Sequence, residues 1–369
     1  MDKKEIISNK QAISLIVLFL IGEGAIYIQA SVSKKDIWLA YMLAIVFALP
    51  MVIMYARIQS LFPDKDLFDI IETCIGKYMG KLLAIIIIWY SFHAIAQVLE
   101  DLGFFINNTL FPETPYIVII ITFSAACAYV AKQGIEVLGR WAEIFLIVPI
   151  ILIILILLLL IPKIDFTNIL PVLYEGIQPV LKGSFLTFGF PLAYIVQYLL
   201  IFSFSKKKNS PYKIYILGFL IGAALLFIIY LLDMLVLGEY LVSIYKFPTY
   251  IAVSRIKIGE FFQRLDIIAA AIFLIGIYVQ TNVFLLGTCK GIAKLFKFPD
   301  YRFIVIPVTL LVINLCYYEP GTVIYYFKWS SEIWPYYIIP FEVIFPLIIW
   351  ITAEIKAKRI KNAGINTPD

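Results

Sequence analysis

The chain has 369 residues, 62% of them hydrophobic and 15% charged, with a formal net charge of +5 and a mean hydropathy of +0.95. So little polar surface cannot cover a soluble globule of this size, which excludes a water-soluble protein and places the chain in a bilayer. A nucleic-acid partner is excluded too, because the positive charge is spread over short segments between apolar runs.

Ten apolar runs recur, near residues 11–31, 37–57, 81–107, 115–132, 141–162, 183–204, 212–237, 262–289, 302–318 and 335–354. A helix needs about 17 to 25 residues to cross a hydrocarbon core of roughly 30 Å, and the runs have that length. The first follows Lys3, Lys4 and Lys10 and ends near Ala30, as a signal peptide would. Glu23 breaks its apolar centre and nine runs follow, so it reads as an uncleaved helix. Within it, LFLIGEGAIYIQ (18–29) sets Glu23 between Gly22 and Gly24. Glycines on both sides loosen the helix there, and an ionisable group at this depth is functional by default. Two roles are open to Glu23. It lines a cavity, sensing an ammonium group or a proton, or it caps the broken helix or pairs with another buried group. The glycines also have a plain reading as small residues that let helices pack closely.

In the third run His93, Gln97 and Glu100 follow i, i+4, i+7 spacing, with Trp89 or Tyr90 one turn before and Phe104 one turn after. They share a face that turns into the bundle, with His93 near mid-span and Glu100 and Asp101 toward the outer side. His93 is the only histidine; it is either a proton relay or a hydrogen-bonded structural residue. In the fifth run Arg140 and Glu143, at i, i+3, are expected to pair. The sixth carries LTFGFPLAY (186–194), interrupted by Gly189 and Pro191. Asp233 in the seventh run and Gly276, Gln280 and Asn282 in the eighth contribute to a polar interior. Glu260 and Arg264 are expected to pair at the outer edge of the eighth run, near Asp266. Glu342, one turn before Pro346 in the tenth, has no assigned role.

With the amino terminus in the cytoplasm, the segments on that side hold 21 of the 30 lysines and arginines. The other nine are Lys34, Lys35, Lys163, Lys182, Lys246, Arg255, Lys257, Arg264 and Lys328. This asymmetry is the positive-inside rule, which sets both termini in the cytoplasm. Ten runs form two sets of five, and an odd number per set turns the second set upside down. The interrupted first and sixth runs then correspond, which points to a transporter-type site at the membrane midplane. Unwound backbone survives at that depth only where it is buried in protein or lines a wet cavity. Its freed N–H groups suit an anion and its freed carbonyls a cation, and an amino-acid zwitterion carries both.

No Gly/Ser-rich linker divides the chain, so residues 1–369 read as a single membrane domain with repeats of about 11–162 and 183–354. The cysteines, Cys74, Cys127, Cys289 and Cys316, show no CxxC spacing and read as packing residues. With one histidine, no metal-ligand spacing and no glycine-rich phosphate loop, neither an enzyme site nor a metal or cofactor is expected.

The stretches ISNKQAISLIVLFLIGEGAIY, LGRWAEIFLIVPI, LTFGFPLAY and KFPTYIAVSRIKIGEFFQRLDII together resemble the spore germination permeases, the B subunits of nutrient germinant receptors. The resemblance covers essentially the whole chain. It implies an all-α, ten-helix fold, a 5+5 inverted repeat similar to the amino acid, polyamine and organocation (APC) transporter superfamily, with discontinuous helices 1 and 6. It implies the inner membrane of an endospore-forming bacterium, a complex with an A subunit and a C lipoprotein, and a small nutrient, commonly an amino acid, that triggers germination. The superfamily's substrate meets the broken backbones of helices 1 and 6, which carries over to Gly22, Glu23, Gly24 and Ala25 and to Thr187, Phe188, Gly189 and Phe190. His93, Gln97, Gly276 and Gln280 complete the expected ligand site. One departure concerns transport: some proton-coupled relatives use a lysine within helix 5, and residues 144–162 contain none.

Two functions fit. In one, ligand binding shifts the chain between two conformations and the change passes to partner subunits or opens an ion path. In the other, the same site alternates access and carries its ligand across with protons or sodium.

Overall fold

The structure, a computed structural model, describes residues 5, 7–203, 210–256, 265–318 and 323–362. The expected Glu260–Arg264 pair lies outside the described residues, as do Lys3, Lys4, Lys206, Lys207, Lys208 and Lys257. No strand occurs among the described residues, and helices occupy all ten apolar runs. In chain order they are α1 (Asn9–Gly24), α2 (Ile37–Leu61), α3 (Lys77–Thr109), α4 (Tyr116–Gln133) and α5 (Ile135–Lys163). The second set is α6 (Ile177–Ile201), α7 (Pro211–Ile244), α8 (Asp266–Phe296), α9 (Arg302–Tyr318) and α10 (Trp334–Ile360). Eight of these are long and apolar enough to cross a membrane; α1 and α9 are the shorter two. Helix is what such runs must form in lipid, because it pairs their backbone polar groups internally.

Two ends show local chemistry at work. Ser8 caps α1: the Gln11 N–H donates to Ser8 Oγ (3.2 Å) and the Ser8 N–H to Gln11 Oε1 (3.0 Å), a reciprocal box that satisfies two end donors. Between α4 and α5 the turn needs φ of +92° at Gly134, a conformation that a side chain would strain.

The layering follows from burial. In α6, 94% of the apolar window is buried against 22% in α5, so α6 is central and α5 peripheral. Helix α1 is apolar all round and buried from Ser14 to Gly24, packed chiefly on α7 and α8. Outward faces carry large exposed apolar residues such as Val46, Ile144, Leu310 and Leu311, which a bilayer would cover.

At the rim around the start of α1, Glu5 meets Lys290 of α8 (2.9 Å) and Arg302 of α9 (3.2 Å). Nearby Lys294 pairs with Asp66 (2.7 Å) and with Asp69, and the group borders a cleft of about 280 Å³. At the opposite rim Lys34 pairs with Glu175, and Asp36 accepts from the Leu173 N–H at 3.0 Å. In α5, Arg140 reaches back to Glu136 (3.5 Å) rather than forward to Glu143. An acid four residues before a base is the favoured geometry on a helix.

Candidate functional site

The two interruptions are real and they meet. In α1, Gly22 leaves helical geometry (φ −35°, ψ −109°), and the chain turns through Ala25 and Tyr27, whose N–H groups reach back to Ile21 O (2.8 Å) and Glu23 O (3.0 Å). In α6, regular helix ends at Thr187; Phe190 is extended (φ −123°, ψ 121°) and Pro191 follows inside a π-helical turn. A Cβ placed on Gly24 would lie 2.9 Å from Pro191 Cγ, so the breaks touch.

Helix α8 holds the first break in place. Gly276 lies so close to Gly22 that a Cβ on it would fall 2.4 Å from Gly22 Cα. One turn on, Gln280 Oε1 accepts the Glu23 N–H at 3.1 Å, which satisfies a donor freed by the break. Gln280 Nε2 is buried without a partner. Gly22 thus both permits a backbone-to-backbone approach and interrupts the helix.

Beside the breaks lies a small cavity of about 20 Å³, room for roughly one water molecule. Its wall comprises Glu23, Tyr27, Gln29, Gln97, Asp101, Phe190, Tyr194, Tyr326, Ser330 and Trp334. The Glu23 and Asp101 carboxyl groups share this wall with the Tyr27 and Tyr326 rings, and both acids are buried. Two carboxyl groups that share a buried space can hold one positive charge, whether proton, metal ion or ammonium. Trp334 Nε1 donates to Tyr194 Oη (2.5 Å), so two of the cavity's rings are locked edge-on.

Of the residues expected from the sequence, Glu23, Gln97 and Phe190 line this cavity, and Gly22, Gly24, Gly276 and Gln280 form the break behind it. Ala25 faces a separate apolar pocket with Asp233 and Thr249. Thr187, Phe188 and Gly189 sit on the turn before Phe190, with Gly189 against Ile338 of α10. His93 is outside the wall: Nδ1 lies 3.3 Å from Tyr337 Oη, and its ring packs among Trp89, Trp329, Trp334 and Tyr337.

Sequence reasoning missed Asp101 as a wall residue, having followed Glu100 along the face. The spacing could have found it: Asp101 is one turn after Gln97, whereas Glu100, though fully buried, is not in this wall. Tyr27, likewise one turn after Glu23, carries the same signal. Tyr194, Tyr326 and Trp334 arrive from distant segments and have no local signature.

Glu342 also acquires surroundings. It is fully buried on a π-helical turn of α10, with Oε1 accepting from Tyr90 Oη at 3.0 Å and its carbonyl accepting from Tyr55 Oη at 2.5 Å. Tyr90→Phe removes that side-chain donor and is expected to destabilise the protein by about 1–3 kcal/mol. A thermal melt of purified protein checks this, and an unchanged midpoint would contradict the assigned bond.

The spore germination protein family model matches residues 6–322. The chain belongs to that family. Spore germination protein KB of Bacillus subtilis (strain 168) is 27% identical over 361 residues, 97% of each chain. Spore germination protein YndE of the same organism is 22% identical over 301 residues, 79% of this chain and 81% of the relative. Among solved structures, Mhp1, a nucleobase-cation-symport-1 family transporter, in a closed conformation with bromovinylhydantoin bound, superposes with a TM-score of 0.69. The match covers 89% of this chain and 75% of Mhp1 at 14% identity. This spore germination family member therefore has a transporter fold: ten helices in two inverted sets of five, with the first and sixth interrupted. It is an integral membrane protein.

Proposed function

We propose that the chain is the membrane-embedded subunit of a nutrient germinant receptor, binding a small amine-bearing nutrient, an amino acid first among candidates, between the breaks of α1 and α6. Binding shifts the bundle between conformations and so triggers germination. The chain acts as one membrane domain of two repeats, about 11–162 and 183–354. It sits in the inner membrane of an endospore-forming bacterium with both termini in the cytoplasm, beside an A subunit and a C lipoprotein. The single observation that carries the reading is the presence of two buried acids, Glu23 and Asp101, in the wall of one cavity directly beside two touching helix breaks. Buried carboxyl groups sharing a cavity in a bundle have a poor structural rationale and a good one as a receptor for positive charge. The cavity is nearly closed, so ligand must widen it, and widening is the conformational signal.

A thermal-shift screen of the purified protein against amino acids, nucleosides and sugars tests the ligand class. A ligand at about 100 times its Kd stabilises the folded state by ~2.7 kcal/mol, a clear rise in melting temperature. Amino acids are expected to shift the melt; a shift by sugars or nucleosides alone would count against the reading. Reconstituted vesicles separate the receptor from an ion-coupled amino-acid transporter. Gradient-dependent uptake of labelled amino acid indicates transport, and a ligand-triggered cation leak without uptake indicates the receptor.

A further inference from the structure

We propose that the cavity recognises its ligand through an ammonium group and does not require a carboxylate, so that its preferred class is a primary amine carrying one neutral hydrogen-bond acceptor, as in an amino-acid amide. The inference rests on the reading of this cavity as the ligand site, and it departs from the zwitterion expected from the helix breaks alone.

Three observations lead there. First, the wall carries two carboxyl groups, Glu23 and Asp101, and no lysine or arginine among the described residues. A ligand carboxylate would enter a space already negative and find no counter-charge, whereas an ammonium group would meet two partners. Secondly, the backbone donor at the α1 break is taken. The Glu23 N–H donates to Gln280 Oε1 at 3.1 Å, so the break offers an incoming carboxylate no free N–H at that position. Helix α8 holds this arrangement rigidly, because Gly276 abuts the backbone of Gly22. Thirdly, Gln97 is 6% exposed, lines the cavity and carries an Nε2 donor without an acceptor among the described residues. A buried donor left unpaired is costly, and a carbonyl or hydroxyl oxygen on the ligand satisfies it without adding negative charge. The remaining wall is mostly aromatic, with Tyr27, Phe190, Tyr194, Tyr326 and Trp334 beside the uncharged polar Gln29 and Ser330, and aromatic rings can attract a cation. An ammonium for the acid pair, one neutral acceptor for Gln97 and an apolar body for the rings describe one ligand.

The test is isothermal titration of the purified full-length protein in lipid nanodiscs at pH 7. The probes are L-alaninamide and L-phenylalaninamide, their parent amino acids, and the deaminated acids propionate and 3-phenylpropanoate. At least one amide is expected to bind about tenfold or more tighter than its parent, with no binding by the deaminated acids. Asp101→Asn is expected to weaken amide binding by about tenfold or more. Gln97→Leu is expected to weaken phenylalaninamide binding but not that of 2-phenylethylamine, which lacks the acceptor; this second variant decides the matter if Asp101→Asn does not fold. Parents binding as tightly as amides, or any deaminated acid binding, overturns the proposal. If the parents win and Asp101→Asn still weakens them, only this inference falls. If every affinity is indifferent to Asp101→Asn and Gln97→Leu, or none of the probes binds, the site reading falls with it.

Discussion

Replacing Gly276 by alanine is expected to be among the most damaging single changes in the chain, although it adds only one methyl group. The new Cβ would lie 2.4 Å from Gly22 Cα, 2.5 Å from Gly22 N and 2.9 Å from Leu18 O, all of them backbone atoms. No side-chain rotation relieves such a clash, so α1 and α8 must move apart and the Gln280 cap on Glu23 is lost with them. Overpacking typically costs about 1–3 kcal/mol, and an unsatisfied buried N–H adds about 1–3 kcal/mol. Gly189→Ala is the matched control. There the added Cβ meets Ile338 Cδ1 at 2.8 Å, the far end of a flexible side chain, and a cost below about 1.5 kcal/mol is expected. Membrane abundance and melting temperature in detergent measure both. Equal effects of the two substitutions would show that the α1–α8 approach has been misjudged.

Glu23→Gln is expected to have the largest effect on response while leaving the fold in place. The amide keeps the shape of the side chain and the backbone N–H bond to Gln280, but it removes one of the two acids available to a cationic ligand. Loss of one partner from a buried, hydrogen-bonded charge pair costs about 2–5 kcal/mol of binding, which is roughly a thirtyfold to several-thousandfold rise in the nutrient concentration needed. Spores carrying the variant, with protein level verified by immunoblot, give the dose–response curve directly. A curve superimposable on the wild type would remove Glu23 from recognition and leave it a structural role only.

The ten crossings were legible in the sequence because lipid makes the rule for a spanning segment simple. The breaks were legible because glycine and proline act on their own backbone, and Gly22, Gly24, Gly189 and Pro191 sit where the chain departs from helix. What the sequence could not supply was pairing across the bundle. Gln280 reads as one more polar residue in α8 until its oxygen is found on the Glu23 N–H. Asp101 and Glu100 are neighbours in sequence, and the orientation of α3 selects the former for the cavity wall while the latter is buried outside it. Tyr326 and Trp334 reach the cavity from segments about 300 residues beyond Glu23 in a chain of 369. His93 shows how packing surrounds a chemical type, since four aromatic rings pack around it and it lies outside the cavity wall.

Helix α8 grips the first break at Gln280 and ends at the charged rim, where Lys290 meets Glu5 and Lys294 meets Asp66 and Asp69. Those two grips are ten to fourteen residues apart, about 15–21 Å along one unbroken rod. A guest that shifts the break therefore works a lever whose far arm is fastened by electrostatic clasps to Glu5 before α1 and to Asp66 and Asp69 after α2. The nutrient's message would surface at that end of the molecule, loosened clasp by clasp, and added salt would make it easier to send.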